Sequence, residues 1–288
     1  MSTAGFEEWI VKRDDLWWRG HRVHVIEAGE GEPLLLVTGV GGNTDMWGPF
    51  ARQFPERRIL SFDAPGTGRS STPFYPVDIP SLAQLASAVL DHFDVESADV
   101  LGYSYGGAVV QQLAHDEPRR VRRLVLAATH CGKGCVPGTN EAVTGVYTPL
   151  RFYSPTFFNR TAGKCFGGVT ARNSEVRNKL FDSRSKHPPT MYGYAMQWMG
   201  IAGWSSKPFL DKITHETLVI SGDEDPLVPL ANAQLLARHI PNATLEVVER
   251  GGHLLLMDDA VNLGERIRRF LAGGGRNVVL PTTAVTLS

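Results

Sequence analysis

The sequence predicts an α/β fold, a mostly parallel sheet covered by helices on both faces. Three observations predict it. The runs Leu34-Leu35-Leu36-Val37, Leu124-Val125-Leu126-Ala127 and Thr217-Leu218-Val219-Ile220 are apolar almost throughout, as strands buried on both faces must be. Between such runs, apolar residues recur at helical spacing, as Leu82, Leu85, Val89, Leu90 and Phe93 do after Pro80-Ser81. A chain of 288 residues is long enough for one core of this type with an insertion, and needs no second independent domain.

In chain order, Arg22-Val23-His24-Val25-Ile26 alternates as a strand and Gly29-Glu30-Gly31-Glu32-Pro33 turns it into the apolar run at 34–37. A glycine-rich loop, Thr38 to Asn43, follows. The next strand is Arg58 to Asp63, closed by Pro65-Gly66-Thr67-Gly68, and the amphipathic helix around 82–93 comes after it. Ala98 to Leu101 reads as a short buried strand, Gly107 to Ala114 as a helix that ends before Pro118, and 124–128 as another strand. Two more strands are expected at 217–220 and 244–248. From about 131 to 208 the rhythm breaks into Gly, Pro, scattered aromatics and helix-like pieces near 175–181 and 191–201. The expected organisation is therefore a core formed by 1–130 and 209–275, an inserted cap at 131–208, and a flexible tail at 276–288.

The bulk numbers exclude several classes. With 29 Lys and Arg against 30 Asp and Glu there is no basic field, which argues against a nucleic-acid partner. The run Arg119-Arg120-Val121-Arg122-Arg123 lies where a helix gives way to a strand and reads as solvated surface. The opening Met1 to Glu8 lacks the basic-then-apolar order of a signal peptide, and no apolar run approaches the ~20 residues of a transmembrane segment. A cytoplasmic protein is expected. Cys131, Cys135 and Cys165 are an odd set, so reduced thiols are expected rather than disulfides. His130-Cys131 with Cys135 imitates a metal site but lacks a fourth ligand at a sensible spacing, so neither metal nor cofactor is expected.

The residues that carry chemistry begin with Gly102-Tyr103-Ser104-Tyr105-Gly106, a serine between glycines where a buried strand becomes a helix. Glycines two before and two after allow the backbone to cross closely while Oγ is pushed outward. The pattern is short enough to arise by chance, so its partners decide. A serine hydroxyl needs a base to take its proton, and the base needs an acid to hold it in place. Ser221-Gly222-Asp223-Glu224-Asp225-Pro226 follows the strand at 217–220, and Gly251-Gly252-His253 follows the strand at 244–248. Both loops sit at the strand ends where open α/β sheets gather ligands. Asp225 is read as the acid, with Asp223 expected to bond turn amides, and His253 as the base. Two amides should stabilise the oxyanion, those of Tyr105 and of Val40 in the glycine loop. That loop lacks the spacing and the lysine of a phosphate cradle. Aromatic residues are dense between 131 and 208, and Trp47, Tyr103, His130, Trp198 and Trp204 are candidate pocket residues around an apolar acyl chain.

At this point the sequence resembles the α/β-hydrolase superfamily from about 20 to 275. Within it, Phe62-Asp63-Ala64-Pro65-Gly66 with Gly68 to Pro73, Gln111 to Asp116, Gly203-Trp204-Ser205 and Gly222 to Leu227 are similar to intracellular poly(3-hydroxyalkanoate) depolymerases of medium-chain polyesters. The resemblance implies Ser104 as nucleophile, Asp225 as acid, His253 as base and the Val40 and Tyr105 amides as oxyanion donors. Tyr105 and Thr38-Gly39 depart from the tryptophan and the asparagine-glycine usual there. The expected activity is hydrolysis of a hydrophobic acyl ester, a polyester or small-molecule substrate, with polymer granules or a lipid surface as an associated phase. A general esterase or lipase, a C–C bond hydrolase and a cofactor-free perhydrolase would use the same triad. A non-catalytic small-ligand receptor would use the same fold.

Overall fold

A computed structural model describes residues 12–257 and 263–273; the tail expected at 276–288 lies outside them. The strands are β1 (Lys12–Trp18), β2 (His21–Ala28), β3 (Glu32–Val37), β4 (Arg57–Phe62), β5 (Ala98–Tyr103), β6 (Val121–Ala127), β7 (Glu216–Gly222) and β8 (Ala243–Val248). They form one sheet in the order β1-β2-β4-β3-β5-β6-β7-β8. β1 and β2 pair antiparallel, as do β2 and β4, and every later pairing is parallel. This is the α/β-hydrolase fold that the sequence predicts, with one strand unread, β1, whose residues Lys12 to Asp15 are too charged to stand out.

Alternation along each strand explains why both faces are covered. Leu35, Val37, Leu124, Leu126 and Val219 point to one side; there they meet α2 (Ile79–His92), α3 (Tyr105–Asp116) and α10 (Leu230–His239). Leu34, Leu36, Val125, Ala127 and Ile220 point to the other, against α1 (Gly48–Ala51) and α11 (Leu263–Leu271). Each Val, Leu or Ile side chain so buried contributes roughly 1.5–3 kcal/mol. The charge run at 119–123 is paired as well as solvated: Arg120 bonds Asp91 at 2.5 Å, Arg122 reaches Glu32 and Asp99, and Arg123 bonds Glu216 at 3.1 Å.

Between β6 and β7 the chain builds six helices: α4 (Asn140–Tyr147), α5 (Leu150–Tyr153), α6 (Pro155–Phe166), α7 (Gly168–Arg172), α8 (Ser174–Ser185) and α9 (Met191–Ile201). Part of α8 and the whole of α9 are legible beforehand. Of the others, α4 and α6 start at side-chain caps, where Thr139 accepts from Ala142 N at 3.3 Å and Ser154 from Phe157 N at 3.2 Å, while α5 and α7 start without one. The segment leaves and returns side by side, with Gly132 bridged to Ser205 and Ser206 N donating to Cys131 O at 3.0 Å. All three cysteines are free thiols. Among the described residues, no helix is long and apolar enough to cross a membrane.

Candidate active site

Ser104 stands between the end of β5 and the start of α3 with φ 52° and ψ −116°, a left-handed conformation that costs a non-glycine residue roughly 1–3 kcal/mol. Its surroundings hold it there. Ser104 N donates to Ala127 O at 2.9 Å, while its carbonyl accepts from Gly107 N at 2.9 Å and from the Thr129 hydroxyl at 2.7 Å. The flanking glycines are a steric requirement. A Cβ on Gly102 would lie 2.5 Å from the Gly106 carbonyl oxygen, and one on Gly106 would lie 2.6 Å from that of Thr38. The glycine loop at 39–42 and the serine turn are therefore pressed together.

Asp225 and His253 arrive from the loops after β7 and β8. His253 Nδ1 lies 2.7 Å from Asp225 Oδ2, and its Nε2 lies 3.0 Å from Ser104 Oγ. Because the carboxylate accepts, the ring proton belongs on Nδ1, which leaves Nε2 free to accept the serine proton. Asp225 is buried and its other oxygen, Oδ1, accepts from the amides of Leu227 and Val228, each at 2.9 Å. This corrects one expectation. The turn amides bond Asp225, whereas Asp223 is exposed; a single carboxylate both closes the turn and faces the histidine.

The helical segment steadies that histidine. His253 N donates to Phe166 O at 2.6 Å, and the Phe166 ring stacks on the imidazole with 17° between planes. Gly252 is explained by this contact, since its Cβ would lie 2.6 Å from the Gly167 carbonyl carbon, whereas a Cβ on Gly251 would meet Val248. From below, the Tyr103 hydroxyl donates to His253 O at 3.1 Å. Burial pushes the phenols of Tyr103 and Tyr105 well above their ordinary range, so both stay neutral; Tyr105 OH is buried without a partner.

Ser104 and His253 open into a cavity of about 210 Å³ that is also lined by Val40, Tyr103, Tyr105, His130 and Trp198. Tyr105 is the first residue of α3, so its N–H has no acceptor within the helix. Val40 sits in the loop that α9 fixes, for Gly41 N donates to Gln197 Oε1 at 2.8 Å. His130 Nδ1 accepts from Gly132 N at 2.9 Å, and burial pushes its pKa down to about 4, leaving a neutral imidazole on the wall. Trp198 lies against Tyr147, ring centroids 4.4 Å apart.

Two expected pocket residues lie elsewhere. Trp47 is fully buried under the sheet against Phe50, because the short helix that carries it turns the indole into the core. Trp204 belongs to the neck of the inserted segment, where its Nε1 donates to Gln112 Oε1 at 2.7 Å. Conversely, the cavity includes two residues that sequence reasoning passed over, Arg151 and Arg184. Arg184 lies in a helix of mostly polar residues, SEVRNKLFDSRS, where nothing marks one cation as buried. Burial, reinforced by Arg151, lowers its pKa to about 9. Among the described residues no group of three or more His, Cys, Asp or Glu could hold a metal ion.

Comparison with known proteins agrees with this architecture. The family model described as alpha/beta hydrolase fold matches residues 32–260. A poly(3-hydroxyalkanoate) depolymerase of Ectopseudomonas oleovorans is 40% identical over 240 residues, covering 83% of this chain and 84% of the relative. A 2-hydroxymuconate semialdehyde hydrolase of Pseudomonas sp. (strain CF600) is 29% identical over 272 residues, 88% of this chain and 91% of its own. Among solved structures, a thermophilic esterase from Thermogutta terrifontis superposes with a TM-score of 0.77 at 25% identity, covering 91% of this chain and 99% of the esterase. With the fold, the serine turn and these relatives in agreement, the chain belongs to the α/β-hydrolase family, and it is an enzyme that resembles ester hydrolases and poly(3-hydroxyalkanoate) depolymerases.

Proposed function

We propose that this enzyme is a serine hydrolase of hydrophobic acyl esters, with oligomers or polymers of 3-hydroxyalkanoates as substrate. The observation that carries the reading is the continuous relay from Ser104 Oγ through His253 to Asp225, at 3.0 and 2.7 Å. Ser104 Oγ attacks the ester carbonyl carbon as its proton passes to His253 Nε2, while Asp225 holds Nδ1–H. The tetrahedral oxyanion is met by the amides of Tyr105 and Val40. As the intermediate collapses, the imidazolium returns its proton to the departing alkoxide. Water repeats the sequence on the acyl-enzyme and releases the acid.

The segment 131–208 acts as a cap over this site. Support comes from the neck at Gly132 and Ser205, and from the side chains that the segment contributes to the cavity wall: Val143, Val146, Tyr147, Trp198 and Ile201 are apolar or aromatic and suit an alkyl chain. The substrate class is supported by the 40% identity to a poly(3-hydroxyalkanoate) depolymerase. Three free thiols are compatible with a reducing, cytoplasmic setting.

The test combines labelling with a substrate panel. A fluorophosphonate probe should label the wild type and not Ser104→Ala, and hydroxyalkanoate oligomers should be cleaved faster than acylglycerols or simple esters. Absence of both labelling and ester cleavage would sink the hydrolase reading. Faster turnover of acylglycerols or simple esters would overturn the substrate class alone.

A further inference from the structure

Arg151, in α5, and Arg184, in the last turn of α8, are only 3% and 4% exposed, yet neither forms an ion pair with a carboxylate among the described residues. Arg151 spends Nη2 on the Tyr194 hydroxyl at 2.8 Å and the Val40 carbonyl at 3.3 Å. Arg184 makes no hydrogen bond to the described residues, and the Nε of each arginine is buried without an acceptor. Both guanidinium groups lie over the same two rings: 4.3 and 4.9 Å from the centroid of Phe152, and 5.7 and 5.6 Å from that of Phe166. Aromatic faces attract the charge but accept none of its N–H bonds well. Two like charges share a buried site with no anion among the described residues, an arrangement that costs stability unless something negative enters.

Both arginines line the cavity that contains Ser104 and His253. The ring of Phe166 connects the two halves of that cavity, since it stacks on His253 on one hand and faces both guanidinium groups on the other. An anion held there shares one cavity with the base that protonates the leaving oxygen. We propose that Arg151 and Arg184 form a carboxylate subsite, so that the enzyme selects esters bearing a free carboxylate close to the scissile bond. This deepens the hydrolase reading above and rests on it. In a linear oligomer of 3-hydroxy acids, the terminal link meets this description, because its leaving group is a 3-hydroxy acid whose carboxylate lies two carbon atoms from the ester oxygen. The structure thus points to cleavage from the carboxyl end of short chains. Arg184 supplies a planar fork of unspent donors, which suits a carboxylate better than the point charge of lysine would.

The experiment compares the linear dimer of 3-hydroxyoctanoic acid with its methyl ester. Wild type should show kcat/KM at least about tenfold higher for the free acid, the worth of a charge-assisted bond in a buried site. Arg184→Met should bring the ratio close to one, and Arg184→Lys should restore part of it. Calorimetric binding of both compounds to Ser104→Ala requires no turnover, and it should show the same preference. Equal or weaker handling of the free acid by the wild type and by Ser104→Ala overturns the subsite, even where simple esters are cleaved and the hydrolase reading stands. If no ester is cleaved at all, the binding preference still decides the subsite by itself. Should Arg184→Met fail to fold, the wild-type ratio and the Ser104→Ala binding pair decide the question.

Discussion

Arg57 and Arg184 are two buried arginines on opposite sides of one sheet, 8% and 4% exposed, and they are treated in opposite ways. Arg57 opens β4, at the edge where the parallel strands begin, and its Nη1 bonds Asp99 Oδ2 at 2.7 Å at the start of β5. Arg184 lies over the edge where those strands end, in the wall of the cavity, with no carboxylate beside it. The same edge also holds Ser104 at φ 52° and a Trp198 Nε1 with no acceptor. At one edge the buried cation has a carboxylate partner, although Asp99 Oδ1 there has no donor; at the other it has none. A buried cation without a counter-charge in a cavity suits a site that takes a negatively charged ligand, whereas a paired one suits an edge that only holds the sheet together.

The comparison can be broken or sharpened by substitution. The largest effect is expected from Ser104→Ala, which should lower kcat on a p-nitrophenyl ester roughly 10⁴- to 10⁶-fold while leaving the thermal midpoint nearly unchanged. A large fall in the midpoint would show that the strained edge also carries stability. Arg57→Met should do the reverse. Leaving Asp99 buried with only Arg122, 3.4 Å away, should cost about 3 kcal/mol in urea unfolding, with kcat unchanged in the molecules that remain folded. Gly106→Ala tests the seam between the glycine loop and the serine turn. Its Cβ would collide with the carbonyls of Val37 and Thr38, and a loss of about 2 kcal/mol is expected, accompanied by reduced activity.

Arg184→Met, measured by the same urea titration, should change stability by no more than about 1 kcal/mol, because it removes a charge that has no partner. A loss as large as that of Arg57→Met would mean that Arg184 is structural after all. A further effect appears only in acid and concerns His130. Its pKa in the folded protein is about 4, below the ~6.5 of an exposed histidine, so between those values the unfolded chain binds a proton that the folded chain refuses. Stability should therefore fall as pH drops from 6.5 towards 4. In His130→Asn that part of the slope should be missing from urea midpoints measured across the range.

How much of this was legible beforehand depended on how local the signal was. The elbow could be read because steric demand fell on adjacent residues: Gly102 and Gly106 are small for reasons that lie within a few positions of Ser104 and in the loop it touches. Asp225 and His253 could be read because each lies in a loop at the end of a strand, β7 buried and β8 at the sheet edge, and the structure brings both within hydrogen-bond reach of their neighbours in the relay. The choice of amide acceptor was less legible. Asp223 and Asp225 are separated by one residue, and only the folded turn shows that Asp225 takes both the Leu227 and Val228 amides.

Residue pattern carries the fold, through strands apolar on both faces, and sets the candidate serine, aspartate and histidine in that order in loops at strand ends. Tertiary structure alone decided which side chains face the cavity. Trp47 and Trp204 have the composition of pocket residues but are spent on the core and the neck, whereas Arg151 and Arg184 have the composition of surface residues and are buried beside the serine. The physical reason is that a helix in an inserted segment packs through contacts distant in the chain. Whether a cation on such a helix meets water, a carboxylate or an empty cavity depends on those contacts, and no periodicity in its own residues records the answer.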